Sequence, residues 1–165
     1  MAGTTTKLLL PYPTDTDLVT EGDEAIQALA DRIEARLPWG WLAYAQVTAN
    51  QTLGVGGDLT SLTVTLTLSA SRRIRITGQT LVTASGTGNA AAIYIREGST
   101  DLANVTTPVT NAWSTGFSIA THQSPSAGSH TYKLSYAFTG GTGTMNASAG
   151  APAFISVEDI GPAVP

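Results

Sequence analysis

The sequence predicts a mainly β protein: an antiparallel β-sandwich, most simply a jelly roll, preceded by an extended N-terminal arm and one α-helix. Three observations predict it. From residue 42 onward, about eight or nine stretches alternate apolar and polar residues, separated by Gly, Asn, Ser and Pro clusters, which is the pattern of half-buried strands joined by turns. Only one stretch, Thr20 to Leu37, carries helical spacing with a start and a stop signal. Charged residues make up 12%, about half the usual share, while Thr, Ser, Ala and Gly fill the small and polar positions of a rigid β surface. The expected organisation is an arm over residues 1–19, a helix over 20–38 and a β head over 39–165.

In the arm, Pro11 and Pro13 forbid a helix and favour an extended path through Tyr12. Leu8, Leu9, Leu10 and Tyr12 have no regular period. With the two prolines they read as anchors for a groove on another surface.

The helix opens on Thr20, whose hydroxyl can cap the backbone N–H of Asp23, and Glu21, Asp23 and Glu24 complement the positive end of the dipole. Pro38 stops it. Ile26, Leu29, Ala30, Ile33 and Leu37 form one narrow apolar seam. Asp23, Gln27 and Glu34 flank it on one side, Arg32 and Arg36 on the other. No opposite charges stand four residues apart, so these charges do little within one helix. In a parallel ring of identical helices each acidic flank meets a neighbour's basic flank, so the pattern predicts self-association through this seam.

After the helix, Pro38-Trp39-Gly40-Trp41 is a turn with two large aromatics, suited to a joint between helix and strands or to stacking on a sugar. The predicted strands are Leu42–Ala49, Ser61–Leu68, Arg73–Ala84 with a bend at Gly78, Ala91–Arg96, Leu102–Val109, Trp113–Thr121, His130–Thr139, an edge strand at Thr142–Ser148, and Ala153–Asp159. In Ser61–Leu68 the leucines and Val64 face one way and three threonines the other. A hydroxyl-rich β-branched face meets water without many charges.

Net charge is −4; residues 1–37 carry seven acids and three bases, and residues 38–165 carry five of each. A neutral β head behind an acidic stalk is poor material for binding nucleic acid. The absence of cysteine removes disulfides, thiolate metal sites and cysteine nucleophiles. No apolar run approaches the length of a membrane span and no signal-peptide pattern opens the chain, which predicts a protein made in the cytosol with no membrane partner.

No catalytic constellation emerges. The two histidines, His122 and His130, flank Ser124-Pro125-Ser126-Ala127-Gly128, a pair at a hairpin mouth without a motif around them. The β region's carboxylates are Asp58, Glu97, Asp101, Glu158 and Asp159, the last two pointing to opposite faces, and no facing pair suited to glycoside hydrolysis stands out. Counting an EF-hand loop from Asp15 finds Val19, Thr20 and Ile26 where an acid, Gly and Glu are needed. Gly54-Val55-Gly56-Gly57 and Gly140-Gly141-Thr142-Gly143 lack the Lys and helix of a phosphate loop. Neither an enzyme nor a cofactor is expected.

Pro11-Tyr12-Pro13, Thr16-Asp17, Gly22, Ala25-Ile26, Leu29-Ala30, Ile33-Glu34 and Leu37, in that order, resemble the N-terminal segment of tail-fibre-like and minor structural proteins of bacteriophages of actinobacteria. The ending Ile155-Ser156-Val157-Glu158-Asp159-Ile160-Gly161-Pro162 is similar to the last strand and exit turn of those proteins. The region between resembles jelly-roll and tumour-necrosis-factor-like trimer domains in general. The resemblance implies a homotrimer on the virion surface, its helices in a three-helix bundle, its arm docked on capsid or tail proteins and its β heads outward. The passage straight from helix to head favours a compact spike, tail-tip piece or head decoration over a long fibre. The alternative is a host-surface glycan-binding module acting through exposed aromatics, with Trp39, Trp41, Tyr94 and Trp113 as candidate contacts.

Overall fold

The computed structural model describes residues 3–4, 11–12, 19–36, 40–70 and 72–162. Two compact units divide the chain, Met1–Pro38 and Trp39–Ala163. In the first, β1 (Gly3–Thr4) pairs antiparallel with β2 (Pro11–Tyr12), Gly3 opposite Tyr12 and Thr4 opposite Pro11. The helix α1 spans Val19–Arg36, within one residue of the expected bounds at each end. Its 18 residues extend about 27 Å at 1.5 Å each. Gln27 Nε2 donates to Asp31 Oδ1 at 2.8 Å, one turn along the helix surface.

The second unit is an antiparallel β-sandwich. Its strands are β3 (Gly40–Val47), β4 (Gln51–Leu53), β5 (Gly56–Leu68), β6 (Arg72–Ala84), β7 (Asn89–Glu97), β8 (Thr100–Val109), β9 (Thr115–Gln123), β10 (Gly128–Phe138), β11 (Gly143–Asn146) and β12 (Ala153–Pro162). Alternation makes them strands and then decides their faces: along β6, Ile74, Ile76, Thr80 and Val82 are buried while Arg75 and Gln79 are exposed. One sheet runs β5-β10-β7-β8; the other runs β3-β12-β6, with β9 on the far side of β6. The short β11 and β4 continue that second sheet beyond the end of β12, β11 pairing with β6 from Leu81 to Ala84. Apart from these two short strands, the order first-eighth-third-sixth facing second-seventh-fourth-fifth is the arrangement of a jelly roll. β3 meets β5 along one flank and β8 meets β9 along the other.

Between the sheets Leu62, Ile74, Ile76, Ile93, Ile95, Tyr132, Leu134, Ile155 and Val157 are all essentially fully buried. The aliphatic alternation of the sequence therefore closes one continuous core across both sheets. Pro108 sits on β8, an edge strand, where a missing N–H is tolerated.

Two expectations are corrected, and one strand is added. β6 runs through Gly78 as one continuous strand, its register there unbroken against both β12 and β9, so the glycine marks no interruption. Glycine stands there because a Cβ would come within 2.5 Å of Leu134 Cδ2 from the facing sheet. The Thr142–Ser148 segment is no edge: β11 is paired on both sides, by β6 and β4. And β4, only three residues long, is too short to show a period in the sequence. No described helix is long and apolar enough to cross a membrane.

Candidate functional site

The outer face of β3-β12-β6 carries an aromatic ledge that a backbone irregularity creates. In a regular strand Trp41 and Tyr44, three residues apart, would point to opposite faces. Opposite them, Ser156 pairs with Tyr44, Val157 with Ala43 and Glu158 with Trp41, so Leu42 is the extra residue of a β-bulge. The bulge turns Trp41 onto the outer face beside Tyr44, while Leu42 and Ala43 both pack against the core. The rings of Trp41 and Tyr44 lie within 23° of parallel with centroids 5.5 Å apart, an offset stack. Phe154 of β12 extends the row, 5.8 Å from Tyr44. Trp41 remains 68% exposed.

Across the sheet the register sets the rest of the site. Glu158 lies opposite Arg75, and Ser156 opposite Thr77, which is itself opposite Ala120 of β9. Arg75 Nη2 donates to Glu158 Oε2 at 2.5 Å, both side chains retaining access to solvent. The small residues Thr77, Ser156 and Ala120 leave a shallow groove of about 460 Å³ between the aromatic row and this ion pair. Tyr44 Oη is held by Gln46 Oε1 at 2.9 Å, which fixes the ring.

The other candidate contacts lie elsewhere. Tyr94 is on the outer face of the other sheet, with the Arg96 guanidinium 4.4 Å from its ring centroid, so one face is already covered. Trp113 is 68% exposed in the connection between β8 and β9. Trp39 lies outside the described residues. The structure thus separates Trp41, Tyr94 and Trp113, and adds Tyr44 and Phe154, which sequence reasoning missed. Odd spacing hid Tyr44, and Phe154 is distant in sequence and brought in by the β3-β12 pairing.

Of the anchoring-arm residues, Leu8, Leu9, Leu10 and Pro13 lie outside the described residues, and Pro11 and Tyr12 form β2. On α1, Ile26 is 58% and Ile33 41% exposed, Ala30 and Arg32 are exposed and Leu29 is half-buried. Leu37 and the side chains of Glu34 and Arg36 lie outside the described residues.

Most of the carboxylates and one histidine of the β unit are engaged structurally. His122 and His130 are on different sheets: His122 is registered against Arg75, while His130 pairs with Leu66. His130 Nδ1 lies 2.6 Å from Glu97 Oε1 and its Nε2 3.0 Å from the Ser126 carbonyl oxygen, so both ring nitrogens are occupied. Asp101 is paired with Arg96. Asp58 accepts from Lys133 Nζ at 2.5 Å and Ser135 Oγ at 2.6 Å, which holds its carboxyl below the ordinary value. No cluster of three or more metal-ligating side chains occurs among the described residues.

No protein-family model and no curated protein sequence matches the chain. Among solved structures it is similar to dimeric latent PorU from Porphyromonas gingivalis, at 12% identity and a TM-score of 0.50, over 78% of this chain and 13% of that one. It is also similar to a carbohydrate-binding module of Cellvibrio mixtus lichenase 5A, solved with cellotriose, at 18% identity and a TM-score of 0.34, over 76% of this chain and 92% of that one. A third is the infectious bursal disease virus Gt strain structure, at 9% identity and a TM-score of 0.45, over 77% of this chain and 38% of that one. At such identities the likeness to PorU concerns the fold alone, and this chain spans about an eighth of the PorU structure.

Proposed function

We propose that this chain is a structural component of a bacteriophage virion, a homotrimer joined through α1, docked by its N-terminal arm on capsid or tail and displaying a tumour-necrosis-factor-like jelly-roll head. One observation carries the reading: Ile26 and Ile33, on the apolar seam of the helix, are 58% and 41% exposed. An apolar seam of this kind is buried at modest cost by copies of the same helix, with Arg32 toward a neighbour's acidic flank. Trimerisation also supplies the anchoring mechanism. Three arms, each with a modest contact, bind together far more tightly than one wherever the geometry lets all engage. Replacing Ile26→Asp and Ile33→Asp together converts trimers to monomers in light scattering; a wild-type monomer, or a double variant of unchanged trimer mass, overturns it.

A second reading, recognition of a glycan on the host surface, is favoured by the row of Trp41, Tyr44 and Phe154 beside an open groove. The two roles are compatible in one spike.

A further inference from the structure

We infer that the groove beside Trp41 is a binding site for a neutral, β-linked pyranose chain of gluco configuration, glucose or N-acetylglucosamine, stacked on Trp41 and Tyr44 and hydrogen-bonded by Arg75 and Glu158. The inference rests on the glycan reading above and names its site and ligand class.

The aromatic row selects the ring. A pyranose whose substituents are all equatorial presents axial C–H groups on both faces and keeps its hydroxyls at the rim, so it packs on an aromatic face without stranding a polar group. Trp41 offers that face: it is 68% exposed and its ring is offset from that of Tyr44 rather than covered by it. Phe154 continues the apolar line by a second step of similar length, 5.8 Å after 5.5 Å, which suits successive units of a chain better than a lone monosaccharide.

The polar side selects the charge. Arg75 brings only donors and Glu158 only acceptors, and a sugar hydroxyl can both accept from the one and donate to the other. The pair is already mutually neutralised at 2.5 Å, so it leaves no net charge to attract a carboxylated or phosphorylated polymer. Thr77, Ser156 and Ala120 keep the floor low enough for a ring to approach. Glu158 is the one carboxylate lining the groove, and no second acid faces it, so the arrangement is proposed to hold a sugar and not to cleave it.

The test titrates cellotetraose and chitotetraose into the 165-residue chain, following the Trp41 indole N–H by NMR and affinity by calorimetry. At least one saccharide shifts that resonance saturably; Trp41→Ala weakens binding at least tenfold, Glu158→Gln weakens it several-fold, and Trp113→Ala leaves it unchanged. Because Trp41 and Glu158 keep solvent access, both variants are expected to retain the wild-type thermal transition, which is measured alongside. Glycan-array binding that survives Trp41→Ala would leave the glycan reading standing and sink this site. Array binding confined to acidic or axially substituted sugars would overturn the ligand class, and silence of every sugar would overturn both readings. Dissociation of an oligomer by Trp41→Ala would show that the ledge is instead covered by a second copy of the chain, and would also overturn the proposal.

Discussion

Arg72 and Asp159 form a bidentate ion pair sealed inside one end of the sandwich: Nε donates to Oδ2 and Nη2 to Oδ1, both at 2.8 Å, with side chains 5% and 0% exposed. Asp159 Oδ1 also accepts the N–H of Gly161 at 2.7 Å, where a register shift between Asp159 and Pro162 interrupts the pairing of β12 with β6 and φ is +110°. The neighbouring Glu158 points the other way and meets Arg75 on the outer face. Two adjacent acids thus serve the two sides of one strand, and the Glu158-Asp159-Ile160-Gly161 ending acquires a physical reason.

Asp159 is the bidentate partner of a buried guanidinium, so removing it takes away the carboxylate that matches Arg72 in the core. Asp159→Ala is expected to destabilise the protein by about 3–5 kcal/mol in urea unfolding. Arg72→Met with Asp159→Leu is expected to recover most of the loss, because both charges then leave the core together. A single variant with wild-type stability would show that the pair is not formed.

Tyr132 is fully buried, and its hydroxyl meets no hydrogen-bond partner among the described residues. Tyr132→Phe is expected to raise stability by about 1 kcal/mol, since it removes a desolvated polar atom without changing the ring. Burial, with a smaller contribution from the Glu97 charge, pushes the Tyr132 hydroxyl up to about 12 from 10.0. The folded form keeps this proton where the unfolded form loses it. The corresponding stability is complete below pH 10 and drains as pH rises through about 12. Melting curves across that window are expected to fall more steeply for the wild type than for Tyr132→Phe.

Asp58 titrates in the opposite sense. Its carboxyl is held below 3.8 chiefly by the hydrogen bond from Lys133, then by that from Ser135. Here the unfolded chain binds the proton more readily, so the contribution is present above about pH 4 and is lost as pH falls through the lower folded value. Asp58→Asn is expected to shallow the acid limb of the stability profile while leaving the alkaline limb unchanged. With Asp58 38% exposed the effect is small, and solvent screening reduces it further.

Gly78 faces Leu134 across the sandwich, and a Cβ there would also lie 3.3 Å from Ile119 Cγ2. Gly78→Val is expected to cost about 1–3 kcal/mol by overpacking, read as a lower urea midpoint. Pairing Gly78→Val with Leu134→Ala is expected to restore part of it, since the clash is with the Leu134 methyls.

Much of the β architecture is legible in the residues alone. Period-two patterning placed nine strands within a few residues, because burying one face of a strand is a local constraint that each segment records in its own residues. The helix is equally plain from its spacing, although it begins at Val19, so Thr20 lies inside its first turn and is not the residue before it. His122 and His130 looked adjacent across a short loop, yet the crossing from β9 to β10 changes sheets and sends them apart.

By itself, then, the sequence determined where the longer strands run, which face most of them bury, and where one helix carries an apolar seam. Only the tertiary structure decided the strand order, the burial of Arg72 against Asp159 across 87 residues of chain, and the ledge of Trp41, Tyr44 and Phe154. The physical reason is that alternation fixes a residue's side of its own strand, whereas its neighbours across the sheet depend on register. A single extra residue at Leu42 reverses the facing of Trp41 without altering the composition that any local pattern can read.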